Sequence, residues 1–201
     1  MLFLALGSFL AGILAGQFFG GETFVGAMDF LSTWGLNLLV LSVGIDIGLN
    51  KGIFKRMRVF GLKILLIPAS IIAGSVAGGI LGGVLTGLPV RESASIASGL
   101  GWYSFSSVYL NDLVGPQVGT MALLSNLCRE LLTFLIIPPI AKKMNIYTTI
   151  APAAATSGDS TLLFIEKYSN EEVAVMAVLN GVLLTALVPF LVPLVFNLFS
   201  I

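Results

Sequence analysis

Five apolar runs, 2–19, 27–48, 58–87, 117–142 and 173–199, are each long enough to cross a bilayer as a helix, because a hydrocarbon core about 30 Å thick takes roughly 20 helical residues. The rest of the composition agrees: 57% of the 201 residues are hydrophobic, 10% are charged, and histidine is absent. The expected fold class is an all-α integral membrane protein with about these five transmembrane helices and two interrupted segments between them. We expect a single transmembrane domain over 1–201, in which 1–57 is a two-helix packing part and 58–201 a core holding the interrupted segments 91–115 and 147–169. The first run has no basic residue before it and a poor small-residue cleavage site after it, so it is read as a retained helix and not a secretory signal. Ten basic and ten acidic side chains leave no basic face to neutralise phosphates, which argues against a nucleic-acid partner. The lone cysteine, Cys128, can form no internal disulfide.

Basic residues set the orientation. Lys51, Lys55, Arg56, Arg58 and Lys63 follow the second run, and Lys142 and Lys143 close the fourth; both clusters belong in the cytoplasm. The amino terminus is then cytoplasmic, the carboxy terminus external, and residue 91 outside. Segment 91–115 must begin and end on the outer side, which a simple spanning helix cannot do. Its middle, GLGWYSFSS (99–107), combines glycines, hydroxyls and aromatics. Segment 147–169 contains APAAATSGDST (151–161), with a proline, small residues, hydroxyls and Asp159. Broken backbone at membrane depth survives only against protein or a watery cavity, and secondary transporters use such segments, entering from opposite sides, to hold substrate near the midplane. Surface loops with some apolar content, and an interfacial aromatic belt at 102–105, are the plainer alternatives. Glycines recurring every four residues, at 12, 16, 20 and at 74, 78, 82, are read as helix-packing faces.

Arg129 and Glu130 stand side by side in LLSNLCRELLTFLIIPP (123–139). A charge at the centre of a membrane helix costs about 2.5–3.5 kcal/mol on insertion scales, so both need partners. At helical spacing Glu130 shares a stripe with Gly119, Asn126 and Thr133, while Arg129 points about 100° away. Arg129 is read as a structural charge that ties its helix to Asp46, to Asp159 or to carbonyls of an interrupted segment. Glu130 is read as a carboxyl group in a half-dry cavity, able to exchange a proton or a cationic ligand. Asp159, among Thr156, Ser157, Ser160 and Thr161, offers a second acid. Asp46, in GIDIG (44–48), is an end-of-helix charge facing Arg58 or Lys51. Candidate substrate contacts are Asn126, Trp102, Tyr103, Ser104, Thr156 and Ser157. No metal and no cofactor is expected, and an enzyme is disfavoured because Ser104 or Ser107 would have no histidine to activate it.

Three motifs, GWYSFSS (101–107), LLSNLCREL (123–131) and AATSGDSTL (154–162), in this order and spacing, resemble the lysine exporter (LysO) family, whose full-size members carry further helices ahead of the matched region. The chain is thus similar to their carboxy-terminal two-thirds, either as a truncated form or as one half of a split transporter. The resemblance implies an inner-membrane exporter of L-lysine and its analogue thialysine working in exchange for protons, with Glu130 and Asp159 as the family's two key carboxylates. Gly158 stands where many members of the family carry methionine, a departure in the pocket wall that the resemblance implies. The lipid bilayer, a small cationic amino acid and protons are the expected partners, together with a separately encoded membrane subunit or a second copy of the chain. An antiporter of sodium or other inorganic cations is the competing transport reading; the room and donors of the aromatic, hydroxyl-rich 102–107 stretch argue against it.

Overall fold

The computed structural model describes residues 2–19, 21–49 and 63–199, and among these the ordered elements are helices, with no strand. In chain order they are α1 (Leu2–Phe19), α2 (Glu22–Leu49), α3 (Lys63–Thr86), α4 (Val90–Ala97), α5 (Tyr103–Val114) and α6 (Pro116–Lys143). A 3-10 turn at Ile146–Thr149, α7 (Ile150–Ala153), a second 3-10 turn at Ala154–Gly158, α8 (Leu162–Tyr168) and α9 (Glu171–Leu198) complete it. Of the described helices, α3 from Ile64, α6 and α9 are long and apolar enough to cross a membrane. The chain divides into two compact units, Met1–Leu39 and Val40–Ile201. Residues 50–62, with most of the first basic cluster, and the side chain of Asp46 lie outside the described residues.

Within the second unit the two interrupted segments are hairpins inserted from opposite ends of the bundle. Several contacts fix this. A Cβ on Gly83 would strike Ser93, and one on Gly79 would lie 2.7 Å from Ala97 Cβ, so α4 runs back along α3 from the turn at Gly87. Likewise a Cβ on Gly119 would lie 2.6 Å from Asn111 Cβ, so α5 runs antiparallel to the first part of α6. The Arg91 guanidinium, at the start of α4, sits 4.6 Å from the ring centre of Phe196, near the end of α9. At the other end of α9, Tyr147 Oη donates to Glu172 Oε1 at 3.0 Å. Residues 147 and 172 flank the second interrupted segment, which therefore returns to the end where it started. Since α6 and α9 both run the length of the bundle, the first hairpin opens where α6 begins and the second where α6 ends.

Local chemistry sets the corners. Gly87 (φ 76°) and Gly115 (φ 128°) make turns that a side chain would strain. Asn145 accepts from Tyr147 N at 3.0 Å, and Asn170 caps α9 by accepting from Val173 N at 2.9 Å. Glu171 and Glu172 then occupy the first turn of α9, and Lys142 and Lys143 the last turn of α6, each matching the helix dipole. The close approach to α3 is made at Gly79 and Gly83; Gly74, Gly78 and Gly82, the row expected to pack, have nothing within 4 Å of a Cβ. Both rows repeat every four residues, and α4 lies on the former.

Candidate functional site

The tips of the hairpins meet. Ala155 N, in the second tip, donates to Leu100 O, in the first, at 3.0 Å, and a Cβ on Gly101 would lie 3.3 Å from Thr156 Cγ2. Both tips contain left-handed backbone on a residue other than glycine, Leu100 at φ 53° and Ala154 at φ 51°. Such a conformation costs about 1–3 kcal/mol and survives only where the surroundings over-determine it. Each tip has an asparagine that supplies those surroundings.

Asn126, on α6, is 2% exposed. Its Oδ1 accepts from Gly101 N at 2.8 Å, and its Nδ2 donates to Ile96 O at 3.1 Å, Ser106 Oγ at 3.3 Å and Ala122 O at 2.9 Å. Asn180, on α9 and 1% exposed, donates from Nδ2 to Ala154 O and to Ser157 Oγ, each at 3.0 Å. Ser157 Oγ in turn donates to Ala177 O at 2.8 Å. Asn126 and Ser157, two of the candidate substrate contacts, therefore face the protein's own backbone in this state. Thr156, another candidate, is buried and donates to Ala153 O at 2.8 Å. Sequence reasoning passes over Asn180; the signal was an amide in the first half of the apolar run 173–199, directly before Gly181.

The expected stripe on α6 is its buried face: Gly119, Asn126, Glu130 and Thr133 are all buried. Arg129 points elsewhere. Its Nε donates to Pro152 O at 3.2 Å, Nη1 to Ser75 Oγ at 2.9 Å, and Nη2 makes a long 3.5 Å bond to Ala151 O. The arginine thus joins α3 and α6 to carbonyls at the end of α7, where a cation complements the helix dipole. It also borders a cavity of about 600 Å³ between α3, α4 and α6, lined by Ser75, Gly78, Met121 and Leu124 among others.

Glu130 is one helical turn beyond Asn126 and 7% exposed, and its Oε2 is buried with no hydrogen-bond partner. A bare buried oxygen costs about 1–3 kcal/mol, more if charged; a proton or a ligand N–H donor would remove that cost. Asp159 is exposed, and its Oδ1 accepts from Ser160 N. Tyr103, the first residue of α5, lies within electrostatic reach of both Glu130 and Asp159. Trp102 is half-buried with its ring tilted against Phe105, centres 5.2 Å apart, and Ser104 is exposed. Tyr103 thus feels the charge of acids from two different elements, near a junction of broken helices.

Opposed hairpins meeting at their tips among helices long and apolar enough to span a membrane, with one buried and one exposed acid near the junction, have the form that secondary transporters use to hold substrate. More particularly, the lysine exporter LysO family profile matches residues 6–196, and the chain belongs to that family. It is 30% identical over 161 residues to the lysine exporter LysO of Escherichia coli (strain K12), covering 80% of this chain and 53% of that protein. To the "Putative lysine exporter" of Haemophilus influenzae it is 32% identical over 163 residues, covering 81% of this chain and 82% of that one. The chain therefore spans about half the length of the E. coli relative. No solved structure matches it.

Proposed function

We propose that the chain exports cationic amino acids, L-lysine and analogues such as thialysine, across the inner membrane in exchange for protons. The observation that carries this reading is the buried, unpartnered oxygen of Glu130 beside the hairpin junction, with Asp159 and Tyr103 in reach. The names of the relatives supply the substrate class. With Lys142 and Lys143 in the cytoplasm, the amino terminus is cytoplasmic and the carboxy terminus external, the second hairpin opens inward and the first outward. A separately encoded membrane subunit or a second copy completes the assembly.

In the inward-facing state the ionised carboxylates of Glu130 and Asp159 hold the ammonium groups of lysine, and Tyr103 orients them. Backbone amides and hydroxyls of 101–107 and 154–161 take its carboxylate. Rearrangement exposes the site outside, where protons neutralise the acids, weaken the attraction for the cation and release it. The protonated carrier returns and loses its protons inside. Proteoliposomes preloaded with lysine test this: labelled lysine should accumulate by counterflow, and a pH gradient should drive net movement. Equal lysine flux in protein-free vesicles would overturn the export reading; counterflow indifferent to the gradient would overturn the proton coupling.

A further inference from the structure

Positions 54 residues apart in the sequence play matching parts in the two hairpins: Leu100 and Ala154, Asn126 and Asn180, Pro139 and Pro193. Leu100 and Ala154 share a positive φ, 53° and 51°. Asn126 and Asn180 are both almost fully buried, and each Nδ2 bonds a backbone carbonyl and a serine hydroxyl of its own hairpin. Pro139 and Pro193 lie inside α6 and α9, the two long helices. The hairpins open from opposite ends of the bundle, so the halves form an inverted repeat.

The repeat is broken at one place. Gly101 N–H closes on Asn126 Oδ1, on the long helix its own hairpin packs against. Its counterpart Ala155 N–H does not close on Asn180 Oδ1; it bonds Leu100 O across the junction, and Asn180 Oδ1 is left buried and unpartnered. One hairpin is latched home and the other leans on it.

We infer that Asn126 and Asn180 are paired positioning residues, and that transport alternates which hairpin is latched. In the opposite state Ala155 N–H returns to Asn180 Oδ1, while Gly101 N–H leaves Asn126 Oδ1 and bonds Ala154 O. With Ala154 O also giving up Asn180 Nδ2, and a matching amide bond forming at Leu100 O, three hydrogen bonds break and three equivalent ones form, so the states are close in energy, as a carrier that must visit both requires. Leu100 O, released by Ala155, takes Asn126 Nδ2, mirroring the present bond of Ala154 O to Asn180 Nδ2. The inference rests on the alternating-access reading above, but its test contains no substrate.

The experiment uses full-length protein in oriented proteoliposomes with Cys128→Ser. A single reporter cysteine is placed at exposed Ser104 or at exposed Ser160, and its alkylation by an impermeant maleimide is timed. In the observed state Asn180→Leu gives up the Nδ2 bond to Ala154 O but also removes a bare buried oxygen, whereas in the opposite state it gives up the Oδ1 latch with no such relief, so the observed state is favoured; Asn126→Leu does the reverse. At each reporter the two variants should shift the rate in opposite directions, each about five-fold, the shift expected from losing one net hydrogen bond in one of two states. The double variant should fall between the singles. Should either leucine variant fail to elute as a monodisperse species, Asn→Thr at the same position should give the same signs with smaller shifts. Shifts of the same sign, or none, in folded variants overturn the exchange even if lysine transport is established; opposed shifts uphold it even if lysine is not the substrate.

Discussion

The two hairpins share a topology and differ in how they are built. The first consists of two regular helices, α4 and α5, of 8 and 12 residues, with a tip tied to α6 through both ends of the Asn126 amide. The second is 3-10 turns around a helix of four residues, followed by the seven-residue α8, and its support comes from elsewhere: Arg129 holds its carbonyls, and its tip lies on the backbone of α9 at Gly181. The first has its hydrogen bonds satisfied locally and forms a wall. The second has 3-10 backbone at its tip and carries the exposed Asp159. Fold symmetry thus coexists with a difference in build, regular helix at one tip and 3-10 turns at the other.

The largest expected effect on stability tests where the second hairpin sits. A Cβ on Gly181 would lie 2.7 Å from Gly158 Cα and 3.0 Å from Ala155 O, backbone atoms that cannot turn aside. Gly181→Ala should destabilise by about 3 kcal/mol, the upper end of overpacking, read as a fall in Tm in detergent. Gly79→Ala presses on Ala97 and Ser93 of the first hairpin and should cost about 2 kcal/mol, whereas Gly78→Ala, with open space around it, should stay within about 0.5 kcal/mol of wild type. A larger loss from Gly79→Ala than from Gly181→Ala would reverse the ranking of the two seats.

Arg129→Leu strips Ala151 O, Pro152 O and Ser75 Oγ of their donor and should cost about 1–3 kcal/mol. Hydrogen exchange should rise in peptides of 146–158 and stay unchanged in 90–114; a rise in both would show that the hairpins are not supported separately. Arg129→Lys should recover part of the loss, since one ammonium cannot copy the fork.

The smallest effect lies at the mouth of the second hairpin. Tyr147 donates to Glu172, and this bond, ahead of desolvation and the charge of Glu172, raises the phenol above its usual range. A raised pKa on ionisation of a neutral acid means the contribution is present below pH about 10 and is lost as the phenol ionises at higher pH. Tyr147→Phe should lower Tm only slightly at pH 7, and that small difference from wild type should vanish as the phenol ionises at alkaline pH, measured by a pH series of melts.

Much of this was legible in hydropathy. The run 2–19 is α1 to the residue, and the run 117–142 extends by one residue at each end to become α6. Glycine and hydroxyl density marked both interrupted segments, and a spacing of three and four residues marked the stripe from Gly119 to Thr133. What could not be read were relations across the chain. Nothing local tells that Ala155 bonds Leu100, or that leucine and alanine occupy left-handed backbone, because that conformation is imposed by Asn126 and Asn180 from distant helices. Gly79 and Gly83 hid behind the longer row at 74, 78 and 82, since periodicity alone does not say which face of α3 meets a neighbour. Asn180 escaped because one amide in an apolar run has no partner visible in its own segment.

The central claim, that the charges of Glu130 and Asp159 bind the cation and hand it over to protons, is tested most directly by lysine-driven proton movement in proteoliposomes. Glu130→Gln and Asp159→Asn keep shape and remove charge. Each should abolish both lysine counterflow and the accompanying pH change, to below about one hundredth of wild type, while leaving the protein inserted and monodisperse. Flux and proton movement that stayed near wild type in both variants would contradict the claim.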